Sequence, residues 1–185
     1  MKNTLIVLKS FENAVERYLA ELKQFDMEQL HRKTDEEEWS IGQMYMHLIQ
    51  SALFMHLPNM KQCLVHSEPS VNSNKGKTEL GESVFEQGQF PAIRIKVPAS
   101  PQYTPKSPEN MEQLVEGLHQ VIAGMREMEA VLRPSPVTDK IIHPSLGALD
   151  AQEWFLLIEM HYRHHFLQLD RLKLDLGIGQ REGEI

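Results

Sequence analysis

Within the run His161-Tyr162-Arg163-His164-His165, two histidines stand four residues apart in a stretch whose apolar spacing is helical. Positions i and i+4 of a helix stack on one face, so His161 and His165 point at the same spot. That face turns inward: Trp154, Ile158, His161, His165, Gln168 and Leu172 follow a 4-3-4-3-4 spacing, the seam that a bundle helix buries. A neutral imidazole in an apolar seam costs stability unless its ring nitrogens find partners. Neighbouring hydrogen-bonding groups can meet that need, and so can one divalent metal shared by both rings.

Catalytic metal sites usually take three protein ligands and leave a position open. Met44, His47, Ser51 and Phe54 form a second seam with 3-4-3 spacing, and His47 is its polar intrusion, which makes it the third candidate ligand. His56 lies half a helical turn from His47 by phase and is expected at the surface or in another contact. Glu28-x-x-His31 and Glu116-x-x-His119 match the Glu-x-x-His pattern of di-iron bundles, but their phases place them on solvated faces. With no seam carboxylate beside the histidines, one metal is expected rather than two. His164, about 60° round the helix from His161, is expected beside the ligands rather than among them, and Gln168 shares their face. His143, ahead of Pro144, belongs to a loop expected to pack on the last helix. Three neutral imidazoles leave a dication its full charge, and such a centre acidifies a water or a thiol presented to it.

Four helices must hold these residues. An apolar stripe at Leu8, Phe11, Val15, Leu22 and Phe25 predicts the first over about residues 4–24. Ser40-Ile41-Gly42-Gln43 is a capping box that starts the second, with Trp39 placed to staple onto Met44. This helix is expected to reach about Val65, and Pro58 must kink or end it nearby. Ser107-Pro108-Glu109 opens a third that runs to Leu132. Asp150-Ala151-Gln152-Glu153 is another capping box and begins the fourth, with Leu149 placed against Trp154, and this helix ends near Asp175 before Gly177. The second and third are joined by a connection over about 67–107. It is expected to hold a short helix at 78–85 and an extended piece at 93–97, and to cover one end of the bundle as a lid.

Composition narrows the rest. With 185 residues, 41% of them hydrophobic, the chain suits one domain spanning 1–185. A net charge of -7 repels a phosphate backbone, so no nucleic acid partner is expected. The single cysteine, Cys63, cannot form an intrachain disulfide, which fits a reducing cytoplasm. The apolar run from Thr4 is cut at Lys9, too short for a signal sequence, and no stretch is long enough to span a membrane. Nucleotide, flavin and haem motifs are absent, as are Gly-x-Ser-x-Gly and His-Glu-x-x-His.

The chain resembles the DinB/YfiT-like proteins. The resemblance lies in Trp39-Ser40-Ile41-Gly42-Gln43 leading to His47, in His143-Pro144-Ser145-Leu146-Gly147-Ala148-Leu149 ahead of Glu153-Trp154, and in His161-x-x-His164-His165-x-x-Gln168. It implies an all-α four-helix bundle of up-up-down-down crossover topology, with zinc or nickel held by His47, His161 and His165. It also implies pairing into a homodimer. Activities in such chains imply a metal-dependent hydrolase or a thiol-dependent transferase acting on a small molecule, the latter with a low-molecular-weight thiol as cofactor. The alternative is a non-catalytic metal-binding or stress-related bundle, since no general base can be named among the acids.

Overall fold

The computed structural model describes residues 3–65, 75–92, 104–132 and 139–178. Helix α1 (Thr4–Leu22) begins where the Asn3 side chain accepts the Leu5 amide proton, and it buries Val7, Phe11, Ala14, Val15, Tyr18 and Leu22. A single turn, α2 (Met27–His31), leads to α3 (Ile41–Ser51), which opens on the Ser40 capping box. In that box the Gln43 N–H donates to Ser40 Oγ at 3.1 Å and the Ser40 N–H to Gln43 Oε1 at 3.0 Å.

The second bundle helix then departs from regular phase. Residues Ala52–His56 form a π-helical segment, closed by a Leu57 N–H donating to the Ala52 carbonyl, before α4 (Leu57–Val65) resumes. This is where Pro58 makes itself felt. A proline ring lacks the N–H and crowds the carbonyl four residues back, and the widened turn just ahead of it lets the chain continue as a helix. The widened turn accommodates about one extra residue, so side chains beyond it rotate by about 100° relative to a regular helix. Phe54, expected in the seam, is 77% exposed, and His56, expected outside it, is 2% exposed. Both corrections have that one cause.

Helix α5 (Glu79–Gln87) lies in the long connection, close to its expected place, and ends on Gly88 in the left-handed region at φ 66°. The expected extended piece at 93–97 falls outside the described residues. Helix α6 (Met111–Leu132) starts later than expected: Asn110, rather than Ser107, accepts the Gln113 amide proton at 2.8 Å. Pro108 is used differently, its carbonyl accepting from His31 Nε2 at 2.7 Å. Strands β1 (Lys140–His143) and β2 (Gly147–Asp150) pair antiparallel in a hairpin that sequence periodicity does not announce. Helix α7 (Ala151–Asp175) follows at once from the Asp150 capping box.

Pairs between helices fix their directions. Along α1 and α7 the partners advance together, Ser10 with Glu159 and Glu21 with Lys173, so these two are parallel. Along α3–α4 and α7 they run oppositely, His47 with His161 and Cys63 with Leu149. Helix α6 opposes α1, Thr4 meeting Glu129, and follows α3–α4, Gly117 lying against Ile49 and Gly124 against Leu57. The four-helix bundle therefore runs up-down-down-up, a correction to the up-up-down-down expectation. The physical reason is connection length: up-up-down-down requires two long crossovers, and this chain has one, between the parallel α4 and α6.

The core closes on aromatic rings. Tyr18 of α1 stacks with Phe166 at 4.4 Å between centroids and meets Tyr45 and Tyr162 edge-on at 5.3 and 5.7 Å. Its hydroxyl donates to the Tyr162 carbonyl at 2.7 Å, and the Tyr45 hydroxyl donates to the Tyr18 carbonyl at 2.9 Å. Burial pushes both phenols well above their ordinary pKa, so they remain donors and lock α3, α1 and α7 in one register.

The connection is clipped to the hairpin. Thr78 N–H donates to the Leu146 carbonyl, and Ala148 N–H to the Gly76 carbonyl, at 3.0 and 3.1 Å. A Cβ on Gly81 would sit 2.1 Å from the Leu146 carbonyl oxygen, closer than any side chain tolerates. Gly81→Val is accordingly expected to lever α5 off the hairpin and destabilise the protein by about 1–3 kcal/mol, the usual range for overpacking. A chemical-denaturation midpoint equal to that of the wild type would show that α5 is not docked there.

Candidate metal centre

Two elements supply the three histidines. The Ser40 box sets the phase of α3 and hence of His47, two turns on, while the Asp150 box sets the phase of α7 and hence of His161 and His165. Because α3 and α7 pass antiparallel, the three rings meet where the helices cross. His161 Nε2 lies 3.0 Å from His47 Nε2 and 3.0 Å from His165 Nε2, and one nitrogen from each residue falls within 4.8 Å of the others. The rings present edges to one another, with centroids 4.6 to 4.9 Å apart. All three side chains are partly exposed, so the cluster is reachable from solvent.

The outward nitrogens show which tautomers suit this arrangement. His165 Nδ1 stands 2.7 Å from Gln168 Oε1, a carbonyl oxygen that can only accept, which puts the proton on Nδ1 and leaves Nε2 bare. His47 Nδ1 has the Ser51 hydroxyl at 3.4 Å. Burial holds the imidazoles neutral: His47 is brought down to about 4 and His165 to about 3, and His161 lies well below the ordinary value. Three lone pairs facing one point without a proton among them repel, unless a cation stands between them or a nitrogen is protonated.

The surroundings are aromatic. The Trp39 indole lies against His47 at 4.9 Å between centroids. From the connection, Phe90 approaches His164 at 5.3 Å and His161 at 6.3 Å. Arg163 holds that segment in place, donating to the Gly88 carbonyl at 2.7 Å while its other contacts go to Glu159 on its own helix. His164 is half-buried, its ring 5.5 Å from that of His165, with its nitrogens outside the three-nitrogen cluster. The structure thus brings together His47, His161, His165 and Gln168, with His164 alongside. Glu28, His31, Glu116 and His119 stay on exposed faces, as their phases predict. The acids on this part of α7 are engaged: Glu159 accepts from Ser10 and Arg163, and Glu153 pairs with Lys77 at 2.6 Å.

Sequence phase missed one neighbour. His56 lies 5.5 Å from His161, between ring centroids, and its signal was Pro58, since a proline inside a helix implies an irregular turn before it.

A sequence profile of the DinB superfamily matches residues 10–169. The chain belongs to the DinB superfamily. That match takes in all three clustered histidines, the Ser40 and Asp150 capping boxes and the aromatic core of this DinB-superfamily bundle. Its fold is similar to that of YfiT from Bacillus subtilis, described as a probable metal-dependent hydrolase with an unusual four-helix bundle topology. The TM-score is 0.61, with 13% identity over 95% of this chain and 89% of that one. No curated protein matches the chain. Among its described residues, this DinB-superfamily member has no helix long and apolar enough to cross a membrane.

Proposed function

We propose that this chain is a metal-dependent enzyme, a hydrolase or a thiol-dependent transferase, that holds one divalent ion, zinc or nickel, on His47, His161 and His165. The observation that carries this reading is the convergence of three Nε2 atoms at 3.0 Å steps, one of them freed for coordination by the Gln168 acceptor behind it. The donor set fits: tetrahedral zinc with N at 2.0–2.1 Å separates its nitrogens by about 3.3 Å, close to the spacing present. A divalent ion on neutral ligands keeps its full charge and acidifies a water or a thiol brought to it.

The remaining residues orient and enclose. Gln168 fixes the His165 ring and Ser51 faces the back of His47, the outer partners that such ligands need. Trp39 and Phe90 offer apolar walls to a small substrate and limit the water around it. YfiT's description as a probable metal-dependent hydrolase supports the hydrolytic branch of the proposal. The engagement of Glu153 and Glu159 favours a second reading, a bundle that binds the ion without turnover, because neither of these carboxylates is left free as a general base.

Chelation is the test between a catalytic and a structural ion. The helices are capped and the core closes on Tyr18, Tyr45, Trp154 and Tyr162, so removing metal is expected to leave far-UV circular dichroism nearly unchanged while ending turnover. The assay is a screen of ester, amide and thiol-transfer substrates on the loaded protein, with and without a small thiol. Collapse of helicity on chelation overturns the catalytic reading in favour of a structural ion.

A further inference from the structure

Three enclosed nitrogens near the cluster have no hydrogen-bond partner among the described residues: His161 Nδ1, His56 Nδ1 and Trp154 Nε1. They gather round one residue. The His56 ring lies 5.5 Å from His161 and 5.8 Å from the Trp154 indole, between centroids, and it is 2% exposed. The His143 ring also packs on the indole at 5.4 Å between centroids. His143 Nδ1 is already taken, accepting the amide protons of Ser145 and Leu146 at 3.1 Å. Each unmet polar atom in such a place costs about 1–3 kcal/mol, so three such atoms on His56 and the two rings against it call for a partner.

Their hydrogen-bonding characters are complementary. The indole N–H can only donate. With an ion held by its Nε2, His161 carries its proton on Nδ1 and is a second donor. His56 Nδ1 can be the acceptor if its proton sits on Nε2. One enclosed water satisfies all three, accepting from Trp154 and His161 and donating to His56, which matches the roughly three bonds that a buried water makes.

We propose that His56 is a positioning residue for His161, acting through one enclosed water shared with Trp154, so that the His161 Nε2 lone pair stays aimed at the cluster. The inference rests on the metal-site reading above. It assigns a role to the π segment: in a regular α-helix of the same length, His56 points away from α7 and the back of His161 has no acceptor.

The experiment is a Co2+ titration of the full chain, followed by visible absorption, for wild type, His56→Leu and His56→Gln, with thermal melts alongside. Loss of an outer partner lowers metal affinity by about 10–100-fold. His56→Leu is expected to weaken Co2+ binding by that factor and to alter the visible bands, and His56→Gln, which keeps an acceptor, to recover most of both. Wild-type affinity and an unchanged spectrum in His56→Leu overturn the proposal. A wild-type protein that takes up no Co2+ overturns the metal reading instead. In that case, or if His56→Leu does not fold, a high-resolution crystal structure of the wild type decides. A water bonded to Trp154 Nε1, His161 Nδ1 and His56 Nδ1 supports the network, and its absence overturns it.

Discussion

His161→Ala is expected to leave the purified protein almost without metal. His161 is the hinge of the cluster, its Nε2 standing 3.0 Å from both of the other Nε2 atoms, and its removal leaves His47 and His165 as a two-ligand remnant. Even a lost outer partner lowers affinity by about 10–100-fold, so loss of the central ligand is expected to exceed about 100-fold. Elemental analysis of protein purified without chelators reads this directly. His47→Ala and His165→Ala are expected to behave alike, whereas His119→Ala, on an exposed face of α6, is expected to retain full occupancy. Equal metal content in His161→Ala and wild type overturns the assignment.

The metal-free protein is expected to begin losing stability as pH falls below about 6.5, above the range in which its carboxylates titrate. Burial lowers His47 to about 4 and His56 and His165 to about 3, and depresses His161 as well, against an unfolded value of about 6.5. Between the folded and unfolded values the unfolded chain holds more protons, so stability is complete above about pH 6.5 and is lost as pH falls through the window. One such group removes about 1.4 kcal/mol per pH unit there, and four acting together are expected to unfold the chelated protein as pH approaches about 4. Thermal melts of the chelated form across that window check it. A flat profile means that the imidazoles are hydrated or charged in the fold.

Much of this was legible in the sequence because it rested on strong local signals. The Ser40 and Asp150 boxes start α3 and α7 where their Gln43 and Glu153 partners imply, and the seam of α7 places Trp154, Ile158, His161 and His165 on one side, as the spacing requires. The three clustered histidines follow from those two phases. The hairpin was not legible, since four-residue strands around His143-Pro144 carry no alternation that separates them from a loop, and α2 is a single turn. Asn110 displaced Ser107 as the cap because Pro108 is occupied with His31. The helix directions depend on how many connections are long, a global property that no local pattern encodes.

The π segment also divides the second helix into two rods with separate addresses. Upstream of Ala52, side chains are phased to the histidine cluster; downstream, Met60 and Cys63 are phased to the core near the hairpin, where the Cys63 thiol approaches the Leu149 carbonyl. A continuous helical wheel drawn from Ser40 to Val65 therefore turns the residues beyond the segment about 100° from their true positions. Deleting one residue from 52–56 would heal the helix into regular α geometry. Residues beyond the deletion would keep facing α7 as they do now, whereas regular α hydrogen bonding at the present length would turn His56 and everything beyond it by about 100°, although no metal ligand had been touched.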